Sequence, residues 1–522
     1  MRAIIQSNTY LMFALLGISG CMAPEGEGES RSEPESTGSI TGALTPVQTC
    51  NQDPRVNSNL VSLQVCAGAR VFFDETFNGN GRSCGTCHAA ANNFTIDPAF
   101  IATLPASDPL FVFEDPGSGL SGLETADLRG PFALIKENVD GFGEFRFVSR
   151  STPHTLSMAT SLARDPGDGT SAAFVQRTGW SGDGAPGDGS LRSFMDGAIT
   201  QHYPTDLGRT PGVSFRLATA AEKDQVLAFQ LAIGRTNDLN LANVTLTDAG
   251  AAAGRADFIN PMRGRCNHCH ANAGANFAPT GLNRNFDTGL AAAPTSGAQQ
   301  PDGSFHFDGG FGGQNAPLPN FAATGEALDS FGDGTFNTPP LIEAADTAPL
   351  FHNNGFGNIE SGVAFYGTAL FASSPAAAEL NAFFGGPLDV SGTAVPNIGR
   401  FLRVLNASFN LAVAAQRLQA SHTLNVAYWG YRDDIQKGLI NLAAEEVKDA
   451  RDVLQSAAGG SLHPSQQSTL QNVLVLLAEA VTATNPAVRR DKAAAARSSV
   501  LSVRAAFGTG MNFTLGTGNL MF

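Results

Sequence analysis

Two short stretches, Cys84-Gly85-Thr86-Cys87-His88 and Cys266-Asn267-His268-Cys269-His270, share the pattern C-x-x-C-H. One helical turn puts both thiols of such a stretch along one edge and brings the next imidazole beneath the same edge. That geometry suits covalent attachment of a haem, with both sulfurs in thioethers to its vinyl groups and the imidazole on the iron. A redox dithiol and half of a zinc site use similar spacings. The first needs a βαβ setting and the second four closely grouped ligands, and neither stretch has such surroundings. The expectation is two covalently bound haem c groups, held by Cys84, Cys87, Cys266 and Cys269, with His88 and His270 on the irons. His268, between the second pair of cysteines, is expected at the surface.

Similar short contexts precede both motifs: Phe72-Phe73-Asp74 through Arg82-Ser83 before the first, and Gly254-Arg255-Ala256-Asp257-Phe258 through Arg263-Gly264-Arg265 before the second. The chain therefore reads as a repeat of two modules, each a few helices around a haem with long Gly/Pro loops. Its 522 residues allow about three folded units. With 42% hydrophobic and 15% charged residues the composition is globular, and the net charge of −15 offers no basic stripe for nucleic acid. The expected fold class is mainly α: two cytochrome c-like haem domains with long loops, plus a C-terminal helical extension.

Arg2 precedes an apolar stretch, Tyr10 to Ile18, that is too short for a permanent membrane helix and runs into Ser19-Gly20-Cys21. This resembles the signal peptide and lipobox of bacterial lipoproteins, which implies removal of residues 1–20, acylation of Cys21 and a periplasm-facing or cell-surface location, with Met22 pointing to the outer membrane. The other reading is an ordinary cleaved signal. Residues 21–49 read as a flexible tether. The membrane is met through the lipid anchor only. With export expected and the other cysteines assigned, Cys50 and Cys66 are left to form a disulfide.

The order of further landmarks resembles the bacterial dihaem cytochrome c peroxidase family, which includes the MauG-type enzymes. Val71-Phe72-Phe73-Asp74 through Cys84 looks like the family's opening segment. Ser151-Thr152-Pro153-His154-Thr155-Leu156 is similar to its Asn-x-Pro-Thr stretch, and Trp180-Ser181-Gly182-Asp183-Gly184 to its Trp-Asp-Gly-Arg turn. Phe336-Asn337-Thr338-Pro339-Pro340-Leu341 and Thr347-Ala348-Pro349-Leu350-Phe351-His352-Asn353-Asn354-Gly355 look like the second-half motifs. The resemblance spans about residues 60–406. It implies a first domain over 50–245, in which a stretch longer than the family needs, about 98–145, is an insertion over the first haem or a partner surface. A second domain covers 246–406, and helical spacing with breakers at Gly459-Gly460, Pro464, Asn485-Pro486 and Gly508 marks the extension, 407–522. His422 and His463 are expected in its solvated loops.

The resemblance also assigns roles. Peroxide would react at the His88 haem. Trp180 would lie between the haems and carry oxidising equivalents, where its plainer reading is a buried aromatic on a Gly-rich turn. No methionine lies between Met262 and Met511, so the Met ligand of ordinary peroxidases is missing from the second module. Tyr366 matches the family's distal-ligand position, as in MauG-type proteins; a phenolate there would favour ferric and higher states, and the alternative is a core residue of a helix. His352 is implied beside that haem without binding its iron. The family's acid for O–O cleavage corresponds to Asp206, which reads equally well as a turn residue. No histidine occupies 135–150, where the family's switchable ligand would fall, so the first iron is expected open, with His154 or Met158 as the alternative cap. Ser151 replaces the usual calcium-binding Asn, while Thr347 and Pro349 would supply carbonyls to a weakened calcium site.

These expectations make the chain a dihaem oxidoreductase that reduces hydrogen peroxide, with electrons from a small redox protein such as a cytochrome c or a cupredoxin. Alternatives are MauG-type oxidation of a protein or organic substrate, a dioxygen-using relative, and a non-enzymatic electron-transfer cytochrome.

Overall fold

A glycine with a phenylalanine four residues on occurs in the helix ahead of each C-x-x-C-H motif. The first helix, α1 (Leu63–Asp74), begins at Ser62, whose hydroxyl accepts the Val65 N–H, and buries Val65, Ala69 and Phe72 along one face. It precedes α2 (Leu191–His202) and α3 (Ala220–Gln230), and α3 crosses it at Gly68. A Cβ on Gly68 would stand 1.9 Å from the Gln225 carbonyl oxygen, so only glycine permits this crossing. One turn on, Phe72 and Phe229 meet edge to face with ring centroids 5.3 Å apart.

The same joint recurs after the first module. Helix α4 (Ala249–Ile259) carries Gly254, where a Cβ would lie 1.8 Å from the Asn397 carbonyl oxygen of a crossing helix, and Phe258 and Phe401 meet edge to face at 5.4 Å. Between them stands α5 (Pro375–Phe384), followed by the crossing helix itself, α6 (Ala394–Tyr428). Gly68 and Gly254 thus occupy equivalent places in a repeated pair of crossed helices.

The computed structural model describes residues 44–115, 117, 120–121, 124, 126–137, 148–170, 175–182, 188–292, 308–311, 332–458 and 460–522. The expected signal peptide, Cys21 and most of the tether lie outside the described residues, as do Asp183, Gly184 and part of the stretch 98–145. Leu44–Phe522 form one unit, mainly α-helical, with strands confined to short antiparallel pairs. The longest of these joins β1 (Leu134–Glu137) to β2 (Val148–Ser151), pairing Leu134 with Ser151.

The boundary expected at 406/407 falls inside α6, a 35-residue helix whose buried face continues through Leu405, Ala407, Leu411 and Leu418. The loop expected around His422 is also absent. The helix ends at Tyr428, and Trp429 and Arg432, both with positive φ, reverse the chain into α7 (Asp433–Gln455). With α8 (Pro464–Thr482) and α9 (Pro486–Phe507) these helices close a four-helix bundle, α6 packing on α7 and α9, α7 on α8, and α8 on α9. The extension is therefore built onto the second module's own crossing helix. His422 lies within α6 and not in a loop, whereas His463 ends the loop before α8, half-buried beside the Phe507 ring.

Among the described residues, the segments around Cys50, Thr245 and Phe522 are bound to the first module. A disulfide joins Cys50 to Cys66. Thr245–Leu246 pairs with Gly508–Thr509, and Phe522 packs edge to face on Phe94 at 4.8 Å under the Arg417 guanidinium. Between the halves, the fully buried Arg235 bonds Glu343 at 2.9 Å and Asp238 at 2.7 Å, and the Ser157 hydroxyl donates to the same Glu343. Leaving either charge alone there would cost several kcal/mol.

Gly68→Ala and Gly254→Ala should each lower stability by about 1–3 kcal/mol or more, because a backbone carbonyl blocks the new methyl. Gly438→Ala, on α7 with nothing within 4 Å of its Cβ, should raise stability by about 0.5–1 kcal/mol. Denaturant unfolding of the three variants checks both signs.

Candidate functional site

Both motifs fold into the same turn. Cys84–Cys87 and Cys266–Cys269 are single helical turns, closed by His88 N–H to the Cys84 carbonyl at 2.9 Å and His270 N–H to the Cys266 carbonyl at 2.8 Å. The two histidines have nearly the same backbone, φ −99°, ψ 65° and φ −116°, ψ 65°. Each ring is held from behind: His88 Nδ1 lies 3.0 Å from the Phe94 carbonyl oxygen and His270 Nδ1 3.0 Å from that of Pro339. A carbonyl can only accept, so Nδ1 carries the proton in both, and each Nε2 keeps its lone pair for a metal. Burial pulls both imidazoles down to about 4, so they are neutral at pH 7, the form that binds iron.

Among the described residues, the four cysteines outside the disulfide, those of the two motifs, are free. Burial pushes the Cys84 thiol up to about 11 and those of Cys87 and Cys266 to about 12, and it raises Cys269 as well. A redox dithiol works by the opposite shift, a thiol lowered toward neutrality. The Tyr203 hydroxyl donates to Cys84 Sγ at 3.1 Å.

Both motifs face one cavity of about 380 Å³. Its wall also includes Ser151, His154, Met158, Trp180, Thr347, Pro349, His352 and Tyr366. The expected site residues, scattered over almost 300 positions, are thus brought to one space, with the exception of Asp206. Four thiols on two turns, two imidazole nitrogens with free lone pairs and an apolar surround fit two haems on the chemistry of the donors.

Trp180 ties the halves together. Its indole N–H donates to the Ser151 carbonyl at 2.9 Å and its own carbonyl accepts from Asn337 N–H at 2.9 Å. The His352 ring stands edge-on to it at 6.5 Å and stacks on Phe336 at 3.8 Å, with 8° between the planes. Burial lowers His352 to about 4 against the pull of Asp308, which pairs with Arg150. Tyr366 caps the helix Ile359–Phe365 among Phe365 and Phe371, and its hydroxyl has no hydrogen-bond partner among the described residues. Burial raises its phenol, and the neighbouring Cys269 and Cys266 add to that, so ionisation here needs a cation close by.

Asp206 takes the second of its two sequence readings, and His268 departs from its own. Asp206 is exposed, and its carboxylate accepts the Gly208 N–H at 2.8 Å and the Ser214 hydroxyl at 2.9 Å, which is the turn role. His268 is 5% exposed, because Phe277, Phe383 and Phe384 enclose the side of the turn away from the cavity, with ring centroids 4.7–5.0 Å from its imidazole. Of the residues implied for calcium, Ser151 donates its hydroxyl to the Phe351 carbonyl at 2.9 Å and Thr347 donates its own to the Glu343 carbonyl at 3.0 Å.

The stretch 98–145 contributes a small core of its own. Ile101, Leu110, Ala133 and Ile135 join Ile96 and pack with Phe100, Leu104 and Phe111 against Cys87. The buried Arg82 fastens it, donating to the Leu110 carbonyl at 2.6 Å and to Glu124 at 2.8 Å. Among the described residues this segment is a lid over the first motif, and neither composition nor spacing marked its apolar residues as a separate core.

No protein-family model matches the chain, and no curated protein matches it. Among the described residues no helix is long and apolar enough to cross a membrane.

In haem-free protein, alkylation of the four thiols by iodoacetamide should rise about tenfold per pH unit from pH 7 to 9.5 with no plateau, as thiols titrating near 11 to 12 require. A plateau near pH 7 would mark a redox dithiol instead.

Proposed function

We propose that the chain is a dihaem c-type oxidoreductase of the cytochrome c peroxidase and MauG type, exported and lipid-anchored through Cys21. It reduces hydrogen peroxide at the first motif with electrons from a small redox protein. The observation that carries this reading is the pair of superimposable turns, each with two thiols and a histidine pinned through Nδ1, opening on one cavity. The recurrence of the crossed-helix joint ahead of each motif supports two haem modules of one ancestry in form.

Bound haem supplies a redox-active iron at each motif, with an exchangeable coordination position at the first. The protein's share is positional. Cys84, Cys87, Cys266 and Cys269 would hold the two groups covalently, and the Phe94 and Pro339 carbonyls set the tautomer and aim of the His88 and His270 imidazoles that would bind iron. The lid packed on Cys87 keeps bulk water and large partners from that edge. Trp180, held at both ends, keeps an oxidisable indole where the two modules meet. An unpartnered, buried phenol at Tyr366 favours an anionic ligand to the second iron, and so favours the MauG-type reading, oxidation of an organic or protein substrate, as the second choice.

The expected result is that the purified ferric protein gives two distinct haem EPR signals and that peroxide alters that of the first haem. Two six-coordinate haems indifferent to peroxide would leave only electron transfer. Tyr366→Phe should shift the second haem's signal alone, and an unchanged spectrum would remove Tyr366 from the iron.

A further inference from the structure

Cleaving the O–O bond of peroxide heterolytically needs a group that takes the proton from the inner oxygen and returns it to the outer one. Among the described residues no aspartate or glutamate lines the cavity. The ionisable side chains that do are mostly committed. Arg82 is paired with Glu124, Arg150 with Asp308 and Arg177 with Asp168; Tyr203 donates to Cys84. His352 is stacked in the wall with Trp180 and Phe336. His154, whose Nδ1 is likewise buried and unpartnered, lies beside the buried Glu343–Arg235 pair where the two modules meet.

His202 remains. It is the last residue of α2, on a cavity-facing stripe with Phe194, Ala198 and Gln201. The backbone there is bound to the first motif's own approach segment: Asn80 Nδ2 donates to the His202 carbonyl at 2.9 Å and to that of Pro204 at 3.0 Å, and Asn80 N–H to that of Tyr203 at 2.8 Å. The next side chain, Tyr203, touches Cys84 Sγ. Neither ring nitrogen of His202 has a hydrogen-bond partner among the described residues, and Nδ1 is closed off from solvent. An imidazole this buried and this uncommitted is costly to keep unless a ligand uses it. Burial, with Arg82 and Arg209 nearby, lowers it to about 3, so it waits as a base.

We infer that His202, not Asp206, is the acid–base residue for peroxide at the first motif. The inference rests on the peroxidase reading above. The imidazole accepts the proton of the inner oxygen and hands it to the outer oxygen, which leaves as water as the O–O bond breaks. The inner oxygen becomes the second water after uptake of two protons and of two electrons from the redox-protein donor.

Hydrogen cyanide must also lose a proton to bind ferric haem, whereas imidazole binds as the neutral molecule, and this separates proton transfer from pocket shape. In His202→Gln, association of hydrogen cyanide and reaction with peroxide at the first haem should both fall by about 10²- to 10⁴-fold. Imidazole affinity should stay at the wild-type value, and His202→Glu should recover part of both rates. Asp206→Asn should leave all three measurements unchanged. Wild-type rates in His202→Gln, or an equal loss of imidazole binding, would overturn the assignment. A wild-type protein that binds imidazole yet ignores peroxide would overturn the peroxidase reading itself.

Discussion

A histidine whose Nδ1 already donates to a backbone carbonyl has one nitrogen left, and its ring can turn only as far as that bond allows. His88 and His270 are both in this state, each at the end of a one-turn helix that also fixes two thiols. Everything else in the described chain can be ordered by how it serves these two rings. Phe94 and Pro339 must be rigid for their carbonyls to aim an imidazole. Phe94 is clasped by Phe72, Phe229 and Phe522, and Pro339 is bracketed by Thr338, bonded to the Arg284 carbonyl at 2.6 Å, and Leu341, whose N–H reaches the Ala273 carbonyl. Phe522 thus steadies the first motif.

The second constraint is close approach. Crossing two helices at backbone contact requires a glycine at the crossing point, and the aromatic pair one turn along fixes the angle by edge-to-face packing. Gly68/Phe72 with Phe229, and Gly254/Phe258 with Phe401, satisfy this twice. Because α6 serves both as the second crossing helix and as the spine of the C-terminal bundle, bundle and module share one core. Around their junction, burying Arg235 and Glu343 together ties the two modules by a charge pair that neither half could lose alone.

The motifs were legible because their chemistry depends on local spacing: a C-x-x-C-H stretch is complete within five residues. That Tyr366 and Trp180 line the same cavity was legible through the order of landmarks along the chain. What sequence could not supply was direction. Asp206 and His202 are four residues apart, yet one faces solvent in its own turn and the other ends a cavity stripe of α2, a difference decided by where that helix stops. His268 faces away from the cavity as expected, but α5 covers that side with Phe383 and Phe384 where water was expected. The 406/407 division failed for a related reason. A change in composition along a helix marks a change of neighbours, not a break in the backbone.

The central claim is that both cysteine pairs hold haem covalently on one shared cavity. The most direct test is the intact mass of the purified, denatured protein, expressed in a host that exports and matures c-type cytochromes. Two haem additions per chain that survive acid–acetone extraction and disappear one at a time in Cys84→Ser/Cys87→Ser and in Cys266→Ser/Cys269→Ser are the predicted result. A bare polypeptide mass, or a chain whose haem is fully extracted, would contradict it.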